Sequence, residues 1–428
     1  ALVDKYGPKP VDQACQMLVD QSEQSFRERL RELPDGRWES RQYFDIEEET
    51  YRVLLAMTKK NDTLTFDFTG SSEQSKYGIN CAYWAAWGGF FAPLFPLLCY
   101  DITWNDGVLR PISMIAPEGT IVNCTRPAPI SLATVGAIQS VNNAACICIS
   151  KMLSASEKYA KEATAVWHGS HFAIFMFGQN QKNQEAIGIM TETFGGAGGG
   201  RSFADGVDVG GEIPNPIGRM ANVETTESHF PVRYLFRRAT SDSGGPGKYR
   251  GGTGLEYAIQ QHDSPDGGIH YVVSGKGTKF SMSDGLGGGY PGAPCNFRWV
   301  HNNEAAEDGK NVNPFATSSE QMTGEQESIS WGVFPLMDQD VLYVRSDGGG
   351  GYGDPLEREP DKIARDVREG SVSEGVARNV YGVVLDSAGE VDAAATGSGI
   401  VSTLEEMTDG VLDGATTRFR ILAQAGRV

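Results

Sequence analysis

FGGAGGGRSFADG (194–206), DSGGPGKYRGGTG (242–254), DGLGGGYPGAPCN (284–296) and DGGGGYGDPLER (347–358) are four glycine-dense stretches set between strand-like segments. Glycine lets a backbone turn at positive φ, or come close to another backbone or a ligand. Four such runs describe a large, turn-laden, sheet-rich protein. Glycine accounts for 53 of the 428 residues, well above its usual share of about 7%. No three-residue period runs through it, which excludes a collagen-like fibre. An apolar fraction of 40% excludes a disordered polar chain.

Outward from these runs, strand signals dominate from 163 to about 343, for example 172–177, 233–236, 271–274 and 341–344. Each closes on glycine or proline. Nearer the start, Cys15, Leu18, Ser22, Phe26, Leu30 and Leu33 recur at helical spacing, up to the turn Pro34-Asp35-Gly36. YGPKP (6–10) before them reads as a linker whose prolines oppose a helix. Strands follow at 37–44, 51–58 and 64–68, with a hairpin turn at Asn61-Asp62. The stretch 136–153 predicts a buried helix with Ile138, Val141, Ala145, Ile149 and Met152 on one stripe. Two short helices, 360–369 and 373–381, precede a tail at 388–414 rich in small and acidic residues. The expected fold is α+β: large and sheet-rich, with many glycine turns, a buried central helix and short C-terminal helices. Three parts are expected. They are a helix plus β-rich segment (1–135), a central helix with the glycine-loop core (136–358), and a C-terminal helical tail (359–428).

The formal net charge is −18. Such a surface repels phosphate backbones and anionic lipids, so no nucleic-acid or membrane partner is expected. The stretch 82–100 carries no charge and has the length of a membrane span. Gly88, Gly89, Pro93 and Pro96 interrupt it, and Asp101 and Asp106 follow. It therefore reads as a buried core segment. The seven cysteines include no CxxC pair, and Cys146 and Cys148 fall on different faces of a helix. Reduced, buried thiols in a cytoplasmic protein are expected.

Several signatures fail on mechanism. A P-loop needs Gly-Lys-Ser/Thr, so that a hydroxyl meets magnesium; Gly247-Lys248 is followed by Tyr249. Gly287-x-Gly289-x-x-Gly292 has the dinucleotide spelling, yet Pro291 lies inside it and no helix follows to meet a pyrophosphate. A G-x-S-x-G elbow is absent. These failures place any ATP site on another chain. His168 and His171 would share a metal on a helix, but the flanking pattern reads as a strand, where positions three apart point to opposite faces. No metal is expected on them; hydrogen-bonded pocket or structural histidines are the alternative.

Arg201 follows the first glycine run directly. A guanidinium grips a carboxylate or phosphate with two parallel bonds, and Gly198 and Gly199 can bring backbone N–H groups to an anion. Glu224, or His229, can do acid–base work where its environment tunes it. Pairing of Arg201 with Asp205 or Asp208 in a salt-bridged loop is the competing reading. Lys248 and Arg250 are either contacts for an anionic partner or intermediate, or cations on a surface turn. Asp67 caps its own turn or acts as a ligand. The candidate site is therefore Arg201, Glu224, His168 and His171 for catalysis, with Gly198, Gly199, Asp205, Lys248 and Arg250 for substrate.

Six segments, in order, are similar to the hydantoinase B/oxoprolinase (B-type subunit) family. They are RLRELPDGRWESRQYFD (29–45), DFTGSSEQSKYGINC (67–81), NDGVLRPISMIAPEGTIVN (105–123), DSGGPGKYRGGTGLEY (242–257), GLGGGYPGAP (285–294) and DGGGGYGDPLEREPDKIARDVREGSVS (347–373). The wording of 191–224 leans toward the subunit of an ATP-dependent ketone carboxylase of acetone or acetophenone type. The resemblance implies one B-type member of a multi-subunit enzyme. ATP is then bound by an A-type partner, with a small third subunit as a further candidate. The reaction implied is carboxylation of a ketone with bicarbonate through phosphorylated intermediates. ATP-dependent hydrolysis of a cyclic amide (hydantoin, 5-oxoproline or lactam) is one alternative, and a non-catalytic scaffold another. Members carry roughly two hundred further residues before this chain's first one, and those hold the residues associated with a divalent metal (Zn, Mn or Mg). The N-terminal portion of the family thus reads as absent here.

Overall fold

The computed structural model describes residues 1–216, 218–263, 269–301, 322, 325–337 and 340–396. The chain forms two compact units. The first comprises Ala1–Gln42 and Arg52–Ala163; the second comprises Tyr43–Tyr51 and the chain from Thr164 onward.

The first unit opens with α1 (Leu2–Tyr6) and α2 (Pro8–Arg31). The linker expected at 6–10 is instead the start of a helix. Pro8 occupies the first helical position and Pro10 the third, where backbone N–H groups have no intrahelical partner to lose. α2 buries Ser22, Phe26 and Leu30, but Cys15 and Leu18 on the same stripe are exposed. The expectation of buried thiols therefore fails at Cys15.

A sheet follows in the order β1 (Gly36–Ile46), β2 (Glu49–Lys60), β3 (Thr63–Asp67) and β4 (Ile112–Ile115). Asn61 takes φ +52 in the expected hairpin turn, and Asp67 Oδ1 caps its own turn by accepting from Thr69 N at 2.9 Å. The uncharged stretch forms α3 (Tyr83–Leu98), largely buried although Trp84 is 75% exposed. Among the described residues no helix is long and apolar enough to cross a membrane. After α4 (Asp106–Leu109), the central helix α5 (Gln139–Ser154) buries every residue but Lys151 and Ser154. It begins later than its apolar stripe because Gly136 breaks helical geometry. A Cβ there would lie 2.6 Å from the Ile79 carbonyl oxygen.

The second unit contains β5 (Ala173–Gln179), β6 (Glu185–Ile189), β7 (Gly211–Glu212), β8 (Asn215–Pro216), α6 (Val223–His229), β9 (Val232–Ala239), β10 (Leu255–Gln261) and β11 (Ile269–Ser274). β12 (Asn296–His301), β13 (Glu325–Ser328), β14 (Trp331–Leu336) and β15 (Val341–Arg345) complete its strands. Two antiparallel sheets, ordered β13-β12-β15-β10-β9 and β14-β11-β5-β6, share one apolar core. Ile174, Met176 and Tyr271 of one sheet pack there with Tyr257, Phe297 and Val344 of the other. The C-terminal helices are α7 (Pro360–Arg368) and α8 (Glu374–Asn379), with Gly370 at φ +77 stopping the first. The rest of the expected tail, 397–414, lies outside the described residues.

The glycine runs are not mainly turns. Of their glycines only Gly287, Gly288 and Gly353 have positive φ. Most of the others lie where a neighbouring backbone leaves no room for a Cβ, while Gly195 and Gly196 meet the side chains of Leu255, Met220 and His168. A Cβ would fall 2.0 Å from the Gly198 carbonyl oxygen at Gly349, 1.9 Å from that of Gly349 at Gly251, and 2.1 Å from that of Gly351 at Gly289. Successive amides in the last run donate to three different segments: Gly349 N to Gly252 O, Gly350 N to Val166 O and Gly351 N to Tyr290 O. A two-fold strand points amides in only two directions; an extended chain with three residues per turn can supply three. The four runs thus bond to one another as a packed bundle of bare backbone.

Gly349→Ala is expected to destabilise the protein by about 3 kcal/mol or more, because backbone rather than a movable side chain occupies the space. Gly88→Ala, on the exposed side of α3 with nothing within 4 Å, should be neutral or stabilising by up to about 1 kcal/mol. Thermal denaturation of both variants checks the contrast.

Candidate functional site

The glycine bundle seats a buried centre of histidines and carboxylates. His168 has φ +40, strained for a non-glycine residue. A Cβ on Gly196 would lie 2.1 Å from His168 Cγ, and one on Gly169 would lie 2.0 Å from the Met282 carbonyl oxygen. Both glycines make room for the imidazole and its turn. The turn, which precedes β5, is why His168 and His171 do not point to opposite faces as a strand would require. Their rings lie edge to face, with centroids 5.9 Å apart.

Each histidine meets a carboxylate through Nδ1. His168 Nδ1 lies 2.5 Å from Asp347 Oδ1, and both side chains are fully buried. Asp347 Oδ2 also accepts from Ser283 Oγ at 2.5 Å and from Ser170 N at 3.0 Å. Burial alone would raise the Asp347 carboxyl, but the charge of His168 and these donors hold it below its ordinary range. An ionised carboxylate only accepts, so Nδ1 of His168 carries the hydrogen. Burial pushes His168 down; the charge of Asp347 and its hydrogen bond outweigh that and leave it raised. His171 Nδ1 lies 2.8 Å from Glu212 Oε2, at 15% and 7% side-chain exposure. Burial opposes ionisation of Glu212, and His171, with His168 and Lys276 adding, holds it low.

Lys276 completes the centre. It is buried just past β11, with its ammonium 5.4 Å from the Phe44 ring. Burial drives it down to about 7, while Asp347, Cys295, Glu212 and Asp45 act the other way. Cys295 is fully buried, and desolvation holds its thiol well above the ordinary value. Among the described residues no group of three or more His, Cys, Asp and Glu side chains has the arrangement of a metal site.

The other expected site residues lie apart from this centre or are committed elsewhere. Arg250 is buried and bonds both Asp208 oxygens, at 2.8 and 3.1 Å. Arg358 bonds Asp205 at 2.6 and 2.9 Å and Asp366 at 2.7 Å. Arg250 approaches Asp366 at 3.3 Å, so one network ties the loops to α7. Asp205 and Asp208 are thus taken by other arginines. Arg201 instead lies over Phe203 at 5.0 Å, and its buried Nε has no hydrogen-bond partner among the described residues. The Gly198 amide donates to Val207 O, and a Cβ on Gly199 would lie 2.1 Å from Ala165 O. Glu224 is exposed on α6. Lys248 is exposed and pairs with Glu357 at 3.3 Å.

Sequence reasoning missed Asp347, Glu212 and Lys276. Asp347 opens the fourth glycine run, Glu212 ends VGGE (209–212), and Lys276 stands between two glycines. A charged residue at the mouth of a run that packs against backbone is the signal each carried.

A family model described as hydantoinase B/oxoprolinase matches residues 1–355. The caprolactamase beta chain of Pseudomonas jessenii is 27% identical over 407 residues, covering 92% of this chain and 64% of its own. The acetophenone carboxylase delta chain of Aromatoleum aromaticum is 25% identical over 409 residues, covering 90% and 58%. A nucleotide-free structure of acetone carboxylase superposes with a TM-score of 0.86 at 23% identity, over 99% of this chain and 59% of that one. That last likeness shows the fold. The chain spans about six-tenths of the length of these relatives.

Lys276→Met tests the electrostatics of the centre. A lysine depressed from 10.5 to about 7 binds fewer protons when folded than when unfolded between those values. Its burial therefore costs most below pH 7, and the cost fades as pH rises toward 10.5. The stability difference between variant and wild type should move in the variant's favour as pH falls from 10 toward 7. Denaturant titrations at pH 6, 8 and 10 measure it.

Proposed function

Because the chain belongs to the hydantoinase B/oxoprolinase family, we infer that it is the B-type component of an ATP-dependent enzyme and contributes acid–base chemistry to it. The reaction best supported is carboxylation of a ketone with bicarbonate through phosphorylated intermediates. ATP is bound by an A-type partner chain. The observation that carries this reading is a pair of imidazoles beside buried carboxylates: His168 Nδ1 is bonded to Asp347, and His171 Nδ1 lies 2.8 Å from Glu212 Oε2. A carboxylate at Nδ1 orients the ring and stabilises its charged form, as a general base needs. Removing a proton from the α-carbon of a ketone is the step such a base supplies. Arg201, which pairs with no carboxylate among the described residues, is the candidate holder of an anionic group such as an enolate, carboxylate or phosphate.

Hydrolysis of a cyclic amide is the second reading. It is favoured by the likeness to the caprolactamase chain, and the same imidazoles would activate water. Supplying ATP with acetophenone and bicarbonate, or with caprolactam or hydantoin, to the chain assembled with its partners separates the two. A carboxylated ketone supports the first; ring opening without bicarbonate supports the second.

Within the assembled enzyme, His168→Asn should lower turnover about 10²–10⁴-fold, the usual yield of a positioned acid–base group. Arg201→Lys keeps charge but loses the planar fork. It should lower turnover at least about tenfold, with melting temperature and assembly near wild type. Unchanged turnover in either variant removes that residue from the mechanism.

A further inference from the structure

The sheet ordered β14-β11-β5-β6 is apolar on both faces. Its inner face supplies Ile174, Met176, Tyr271, Val273 and Leu336 to the core. The residues that alternate with these point the other way. Cross-strand register sets Val333, Val272, Phe175 and Ile189 in one row across that outer face. Pro335, His270, Phe177 and Ile187 form the next row. Ile187 is 71% exposed, Val333 58%, Phe175 39% and Phe177 36%. The His270 ring stacks on Phe177, with centroids 5.1 Å apart. An antiparallel sheet with one face in water ordinarily alternates apolar and polar residues. Here AIFMF (173–177) is apolar at every position. Neither row holds an Asp, Glu, Lys or Arg, in a chain with 55 acidic and 37 basic residues.

We propose that this face pairs with the same face of a second copy of the chain, sheet on sheet. Area and charge both point to that occupant. The four most exposed side chains, of roughly 150–200 Å² each, present about 350 Å² of apolar surface. Pro335, His270, Val272 and Ile189 extend the patch toward about 600 Å², at the upper end of what a lone monomer exposes. Two such faces together bury about 1,200 Å², which reaches the range of a stable pair of chains. A different partner would be selected by charges complementary to this acidic chain, and the two rows offer none. A chain of net charge −18 can meet its own copy only where like charges do not face each other. In a two-fold interface each residue group meets the same patch on the other subunit. An uncharged apolar face is self-complementary in that sense, and two sheets stack about 10 Å apart with their side chains interdigitated. Such pairing is independent of which reaction the enzyme performs.

Analytical ultracentrifugation of the full chain tests the pairing. A dimer with a dissociation constant of about 1 μM or tighter is expected. Ile187→Lys and Val333→Lys, on two different strands of the face, each set like charges against the other copy. Each should raise the dissociation constant at least about a hundredfold. Both positions are exposed, so the melting temperature of the separated chains should stay near wild type, which distinguishes lost pairing from lost folding. A benzophenone side chain placed at Ile187 locates the contact, in the chain alone and in its assembly with partner subunits. In a mixture of light and heavy-isotope chains, it should cross-link to 173–189, 269–274 or 331–336 of the other copy. A monomer up to about 50 μM, or a dimer that either lysine variant leaves unchanged, overturns the proposal. So do cross-links from Ile187 to a different chain or to any other segment of the polypeptide.

Discussion

Carbonyl oxygens lie against glycine α-carbons throughout the second unit, at distances that leave no room for even one methyl group. Most of what is distinctive here follows from that contact. Each close approach lets two backbones exchange hydrogen bonds without a sheet between them, so the runs at 195–200, 244–254, 285–292 and 348–351 lock together. The entropy lost in fixing so much glycine is large, and the saturated backbone bonding offsets it. The same bundle supplies the frame for the charged residues. Asp347 enters at one end, Ser283 and Asp284 at another, and Gly196 lies directly under the ring of His168. A frame of backbone has few rotamers to relax, so the imidazoles and carboxylates it holds are positioned tightly.

Elements whose signal is local were legible in the sequence. The stripe through Val141, Ala145 and Ile149 marked α5 because a buried helix repeats over several turns. The strands around Phe172, Tyr271 and Val341 were legible because glycine and proline close each of them. The second helix failed at its start because prolines were weighed as breakers, although the first turn tolerates them. The glycine runs were recognised but assigned the wrong one of their two uses. Composition cannot distinguish a turn from a close approach, since the deciding atom belongs to a segment far away in sequence.

The site was less legible for the same reason. His168 and Asp347 are 179 residues apart, and no spacing rule reaches that far. His168 and His171 were read as strand neighbours because Trp167 and Phe172 flank them. The positive φ at His168 cancels that periodicity, and only packing against Gly196 sustains it. Arg250 and Asp205 looked like recognition residues because they stand in glycine-rich loops. In the fold they join Asp208, Arg358 and Asp366 in a network that ties those loops to α7. Buried charge pairs of this kind fix arrangement more than they add stability.

What separates the histidine centre from that network is the direction in which its protons are held. In the arginine network the carboxyls of Asp205 and Asp208 are lowered, and the guanidinium groups keep their protons at any working pH. In the centre, Asp347 and Glu212 are held low, His168 is held high, and Lys276 is brought down to about 7. Near neutral pH the carboxylates therefore stay ionised, while His168 is pushed toward its charged form and Lys276 toward its neutral one. Immobile anions beside a raised imidazole and a lowered amine are what set this centre apart from the arginine network.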